Sequence, residues 1–125
     1  MTAARPSLNP AYLTDILEAG GEPLVREVVA TFLADAPRRL ATVRTALAQA
    51  DWDTAALGAH TIVSASSMLG LTAVSAAARR VEQVAMQHCR PTSLDLDALA
   101  AALADAREVL DSAVEALAHG GRSAR

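Results

Sequence analysis

Apolar residues recur at intervals of three and four along most of the chain, the spacing of helices that bury one face. The clearest stripe lies between residues 22 and 49 and consists of Val25, Val29, Phe32, Ala36, Leu40, Val43 and Leu47. Pro37 interrupts this stretch, but the stripe keeps its phase on both sides of the proline, so we predict one bent helix. β-branched residues do not alternate with polar ones over a useful length, so no strand is predicted.

Capping residues, glycines and prolines place the other helices at about residues 9–20, 51–70, 72–88 and 94–118. Asn9, followed by a proline, and Asp51 are the residue types that cap helix N-termini. Four long helices with short loops predict an all-α, antiparallel up-down four-helix bundle, to which the first segment adds a short N-terminal helix. We expect a flexible N-terminus over residues 1–8, the helical bundle over 9–118 and a flexible tail over 119–125.

Composition fits this prediction and excludes several functions. Hydrophobic residues make up 52% of the 125 residues, with one Phe, one Tyr and one Trp among them, and such an aliphatic, alanine-rich core suits closely packed helices. The net charge is -3 and no basic stripe is present, which argues against nucleic acid as a partner. A lone Cys89, with no secretory signal and no apolar run of membrane-spanning length, predicts a cytoplasmic protein without direct membrane contact.

The third predicted helix carries a single histidine, His60, on an unusual face. At about 100° per residue, one half of the helix gathers a stripe predicted to be buried, namely Ala55, Gly58, Ala59, Ile62, Ala65, Ser66 and Leu69. His60 points away from this stripe, among Asp53, Ala56, Leu57, Val63, Ser64 and Ser67. Small and apolar side chains around one imidazole favour a docking surface, because long charged chains would hinder close approach. The alternative is an ordinary surface histidine without a chemical role.

Four segments of the chain resemble one known family in order and spacing. Residues 59–70, A-H-T-I-V-S-A-S-S-M-L-G, resemble the signature A-H-x-L-K-G-S-S-x-x-L-G of histidine phosphotransfer (HPt) domains. Residues 32–37, F-L-A-D-A-P, resemble the F-L-x-D-A-P segment of its long helix, and residues 50–52, A-D-W, resemble its lead into the histidine helix. Val81–Glu82 falls where the family has an aliphatic residue followed by Glu or Gln.

The resemblance implies that His60 accepts a phosphoryl group and relays it between aspartates of receiver domains. Neutral imidazole is a nucleophile near physiological pH, which suits reversible capture of phosphorus. The resemblance also assigns to Glu82 the role of fixing the imidazole tautomer. A chain reversal near Gly70 would bring Glu82 to about the height of His60 on the neighbouring helix. The alternative for Glu82 is an exposed helix residue, for example one paired with Arg79.

Two positions depart from the family pattern. Val63 stands where the family has Lys, and Ser64 stands where it has Gly. Arg79 or Arg80 on the next helix could supply the missing positive charge, or could be solvated helix residues. Ser64 could donate a hydrogen bond to a phosphoryl oxygen, or bond its own helix backbone. The residues expected to contact the partner are Ala56, Leu57, Val63, Ser64 and Ser67.

The resemblance implies a receiver domain and a hybrid sensor histidine kinase as partners, with Mg²⁺ held by the receiver and no cofactor on this chain. An enzyme with its own site is poorly supported, because His60, His88 and His119 show no metal-ligand spacing and no phosphate-binding loop is present. We therefore predict a phosphocarrier, and a monomer. The alternative is a binding module that docks a receiver or kinase but is phosphorylated poorly, because Val63 replaces Lys.

Overall fold

The computed structural model describes the backbone of residues 8–123 and the side chains of residues 8–119. This part of the chain forms four helices: α1 (Ala11–Ala48), α2 (Trp52–Met68), α3 (Thr72–Met86) and α4 (Ser93–Ser123). Helix α2 packs against α1 and most closely against α3, while α4 packs against α3 and α1. The all-α, up-down four-helix fold is confirmed, and the described residues include no strand.

Helix α1 contains both of the helices predicted for the N-terminal half. Gly21 has φ 76° and ψ -175°, which are not helical angles, so the short N-terminal helix and the long one meet at this residue. The long segment then continues through Pro37 without a further break in its backbone angles. The prediction of a single helix through Pro37 is therefore confirmed.

Side-chain hydrogen bonds lie at the start of α1, α2 and α4, whereas α3 has no side-chain cap. The carboxylate of Asp51 accepts a hydrogen bond from the Thr54 N–H at 3.2 Å, and Asn9 Oδ1 accepts one from the Ala11 N–H at 3.1 Å. Helix α4 begins with a reciprocal pair, in which the Thr92 N–H donates to Asp95 and the Asp95 N–H donates to the Thr92 hydroxyl, both at 3.1 Å.

The turn between α2 and α3 fixes how these two helices face each other. Gly70 adopts φ +74°, and the Leu71 N–H donates to the Ser66 carbonyl at 2.9 Å, which is the hydrogen-bonded ending typical of a glycine-terminated helix. The Asn9 N–H donates to the Gly70 carbonyl at 2.7 Å. A Cβ at residue 70 would collide with the Asn9 carbonyl and with Tyr12. The N-terminal segment is therefore fastened to this turn.

Two boundaries differ from the prediction. Helix α4 ends at Ser123 instead of residue 118, so the backbone of residues 119–123 is helical. Leu8, assigned to the flexible N-terminus, is half-buried and packs against the core. Residues 1–7 and 124–125 lie outside the described part of the chain, so the predicted flexibility of the termini stays a prediction. No helix of the described chain combines the length and the apolar character needed to span a bilayer.

Candidate functional site

His60 lies near the middle of α2 with its ring turned to solvent, and 59% of its side chain is exposed. Its Nδ1 is 2.8 Å from Oε2 of Glu82 on α3, a carboxylate that is only 18% exposed. Because a carboxylate can only accept, this contact places the hydrogen of the neutral ring on Nδ1. Nε2 then keeps its lone pair and is the nitrogen available to an electrophile.

A chain of three serine hydroxyl groups links α2 to α3 between the turn and His60. Ser66 is fully buried and its hydroxyl donates to the Ile62 carbonyl at 2.6 Å. Ser75 Oγ lies 2.9 Å from Ser66 Oγ and 3.0 Å from Ser67 Oγ. A hydroxyl has one hydrogen, so Ser75 donates to Ser66 and Ser67 donates to Ser75. Ser67 therefore presents acceptor lone pairs at the surface, with its own hydrogen directed inward.

This serine chain and the histidine pair share one helix register. Ser67 lies seven positions after His60 on α2, and Glu82 lies seven positions after Ser75 on α3. The two contacts are thus two levels of one antiparallel pairing, about 10 Å apart along the helices. Sequence reasoning did not find Ser75, because its role depends on which residue of α2 it meets.

Four of the five residues predicted to contact a partner are exposed or half-buried. Leu57 is 67% exposed, Ser64 and Ser67 are exposed, and Ala56 is half-buried. The prediction for Val63 was wrong, because only 6% of this residue is exposed. Val63 is about 60° from His60 around the helix. It is covered because it lies on the side towards α3.

The two arginines predicted near a phosphoryl group differ in their surroundings. Arg80 Nε is 3.5 Å from Oδ1 of Asp95 at the start of α4. The Thr92 N–H, followed by the Thr92 hydroxyl and Arg80, lowers the pKa of Asp95, which keeps it charged. The side chain of Arg79 lines a cleft of about 280 Å³ beside Ser67 and Ser75, and within the described part of the chain it makes no hydrogen bond or ion pair.

On the other side of His60, α1 and α2 form an apolar cleft of about 230 Å³ whose lining includes Phe32, Ala65 and Met68. This cleft was not predicted from the sequence, since its shape depends on how α1 crosses α2. Within the described residues no three His, Cys, Asp or Glu side chains come together in a way that could hold a metal ion. His119 Nδ1 contacts the Glu115 carbonyl of its own helix, far along the chain from His60.

Comparisons with known proteins agree on one family. The model of the Hpt domain matches residues 27–120. The crystal structure of histidine-containing phosphotransfer protein B (HptB) from Pseudomonas aeruginosa PAO1 is similar to this structure with a TM-score of 0.81. That match covers 90% of this chain and 97% of the other at 18% sequence identity, so it supports the same fold. No curated protein sequence matches this chain. Since the family model spans most of the chain, this protein belongs to the Hpt domain family.

Proposed function

We propose that this protein relays phosphoryl groups between receiver-domain aspartates, with His60 as the residue that carries the group. The observation that supports this assignment most directly is the contact between the exposed His60 ring and the largely buried Glu82 carboxylate. It leaves one nitrogen nucleophilic and accessible, and it holds the ring in one orientation. Membership of the Hpt domain family supports the same function.

The transfer needs little chemistry from this chain. Nε2 of His60 attacks phosphorus of the aspartyl phosphate, an N–P bond forms, the P–O bond breaks and the aspartate leaves as a carboxylate. The ring becomes an N-phosphorylated imidazolium, whose charge the Glu82 carboxylate offsets. Mg²⁺ bound by the receiver would neutralise charge on the phosphoryl oxygens. The remaining contribution is to position His60 and the aspartyl phosphate for attack. The reverse step passes the group to the next aspartate.

The surface around His60 is the proposed docking site for a receiver domain and for the sensor kinase that feeds the relay. Leu57, Ala56, Ser64 and Ser67 would contact the partner, while the buried Val63 would support them from beneath. Ser64 lies one turn after His60, and its hydroxyl has no hydrogen-bond partner in the described structure, so it is available to a phosphoryl oxygen. Arg79 and Arg80 are the candidate cations.

We further propose that the protein acts in the cytoplasm as a monomeric phosphocarrier with no catalytic turnover of its own. The apolar stripes of the four helices close one core, which supports a monomer. The adaptor that docks without being phosphorylated is not favoured, because the exposed ring and its carboxylate partner are both in place.

The test is phosphotransfer from radiolabelled, phosphorylated receivers of the same source. The wild-type protein should gain label that is lost in acid and kept in alkali, as for phosphohistidine. His60→Gln should gain none while keeping its helical circular dichroism, and His88→Gln, which alters an exposed histidine after α3, should label normally. Label retained in His60→Gln, or no label on the wild-type protein with any receiver, would refute the proposal.

A further inference from the structure

One stripe of α3 faces the exposed edge of α2 at three successive levels. It consists of Ser75, Arg79 and Glu82, which are spaced by four and three residues and therefore share one side of the helix. Ser75 meets Ser67 and Glu82 meets His60, so the first and third levels are paired across the two helices. Arg79 occupies the level between them.

Within the part of the chain that the structure describes, the level of Arg79 has no partner. By the register of the other two levels, the residue of α2 opposite Arg79 is Val63, which is buried and apolar. A valine can neither accept a hydrogen bond nor balance a charge, and no described side chain does so in its place. The Arg79 side chain is exposed on the side of Ser67 and Ser75, one level from the histidine pair, and all five N–H groups of its guanidinium are available.

Other arginines near the site are already engaged. Arg80 is paired with Asp95 across α3 and α4. Arg39, which lines the apolar cleft beside Thr61, donates to Asp35 on its own helix at 3.0 Å. Among these three arginines, Arg79 is the one whose guanidinium has no partner within the described residues, and it lies one level from the histidine pair.

A phosphoryl group on His60 would be stabilised by such a cation. It carries roughly two negative charges at neutral pH, and it would lie on a ring that already contacts the Glu82 carboxylate. Arg79 is one helical turn from Glu82, about 5 Å along the axis, and its long side chain can turn towards either neighbouring level. We propose that Arg79 binds the phosphoryl group of phosphorylated His60, an inference that rests on the proposed function.

The test uses phosphoramidate, a small donor that phosphorylates histidine without a receiver. Nε2 of His60 forms the new N–P bond, the P–N bond of phosphoramidate breaks and ammonia leaves. Arg79→Gln should slow this reaction by about three- to five-fold, the range expected for one exposed charge pair. Arg79→Lys should restore most of the rate, and Arg107→Gln, which alters an exposed arginine beside the α1–α4 cleft, is the control and should react like the wild type. Raising the salt concentration should slow the wild type more than Arg79→Gln, because salt screens the attraction.

Each outcome decides the inference. Equal rates for the wild type and Arg79→Gln, with His60 labelled in both, would overturn the role of Arg79 and leave the proposed function standing. A defect of Arg79→Gln that appears with a phosphorylated receiver but not with phosphoramidate would mean that the arginine contacts a carboxylate of the partner, and would also overturn the inference. Failure of the wild-type protein to accept label from either donor would remove the proposed function, and the inference with it.

Discussion

The α2–α3 pair and the α1–α4 pair of the bundle are packed in different ways. Between α2 and α3 the buried positions are small, with Ala59 on one helix and Ala78 on the other both fully buried, and hydrogen bonds cross the pair at two levels. Between α1 and α4 the structure leaves open clefts of about 310 and 760 Å³, both bordered by Leu33 and Arg107. The difference indicates that close approach is kept for the pair that holds the histidine, where a small change of spacing would separate His60 from Glu82.

The largest expected effect is on stability, from a leucine placed in the closely packed pair. Ala78→Leu should lower the free energy of unfolding by about 1–3 kcal/mol, because added volume forces tightly packed helices apart. It should also slow labelling of His60, since α3 carries Glu82. Ala104→Leu, at an exposed position of the α1–α4 cleft, is the control and should lower the free energy of unfolding only slightly. Urea denaturation followed by circular dichroism measures both, and equal losses would contradict the difference between the two pairs.

A smaller effect, on the rate of phosphoryl transfer, is expected from substitutions of Glu82. Glu82→Ala should slow phosphoryl transfer to His60 by about ten-fold, equivalent to about 1.4 kcal/mol, because the ring loses the group that fixes its tautomer and offsets its positive charge. The rate of Glu82→Gln should lie between those of the wild type and Glu82→Ala, because the amide oxygen still accepts a hydrogen bond from Nδ1 but carries no charge. Gln83→Ala alters the exposed neighbouring residue and is the control. Unchanged rates in Glu82→Ala would show that the observed contact has no part in the reaction.

The smallest effect is expected at Ser75. Ser75→Ala removes the central hydroxyl of the serine chain and should cost about 0.5–1.5 kcal/mol of unfolding free energy. Ser66 would keep its bond to the Ile62 carbonyl, and Ser67 could turn to water, which limits the loss. Ser112→Ala on the exposed face of α4 controls for the gain in helix propensity. A loss no greater than in Ser112→Ala would mean that the serine chain does not stabilise the α2–α3 pair.

Much of the fold followed from the sequence because helix periodicity is a local property. The stripe through Pro37, the cap at Asp51 and the glycine at residue 70 each depend on residues a few positions apart, and all three agree with the structure. The end of α4 was placed too early, since the helix continues through Gly120–Gly121 to Ser123. A glycine pair is permissive for a helix end and does not enforce one.

The candidate site was predictable only in part, because its details depend on the register between helices. The outward direction of His60 follows from the angle between it and the apolar stripe of its own helix. Val63 lies near the boundary of that stripe, and the helix alone does not tell which neighbour covers it. Similarly, the sequence offered Arg79 and Arg80 as equivalent cations. The contact between Arg80 and Asp95, from a helix that begins thirteen residues later, distinguishes them.

The hydrogen bond between Nδ1 of His60 and Glu82 has a regiochemical consequence. An imidazole can yield two phosphohistidine isomers, one for each ring nitrogen, and these differ in how readily the P–N bond is hydrolysed. Here one nitrogen is shielded by a carboxylate that would repel an anionic electrophile, so a single isomer, the one modified at Nε2, should form from every donor. Kinase, receiver and small-molecule donors would then leave the same chemical species for the next step of the relay.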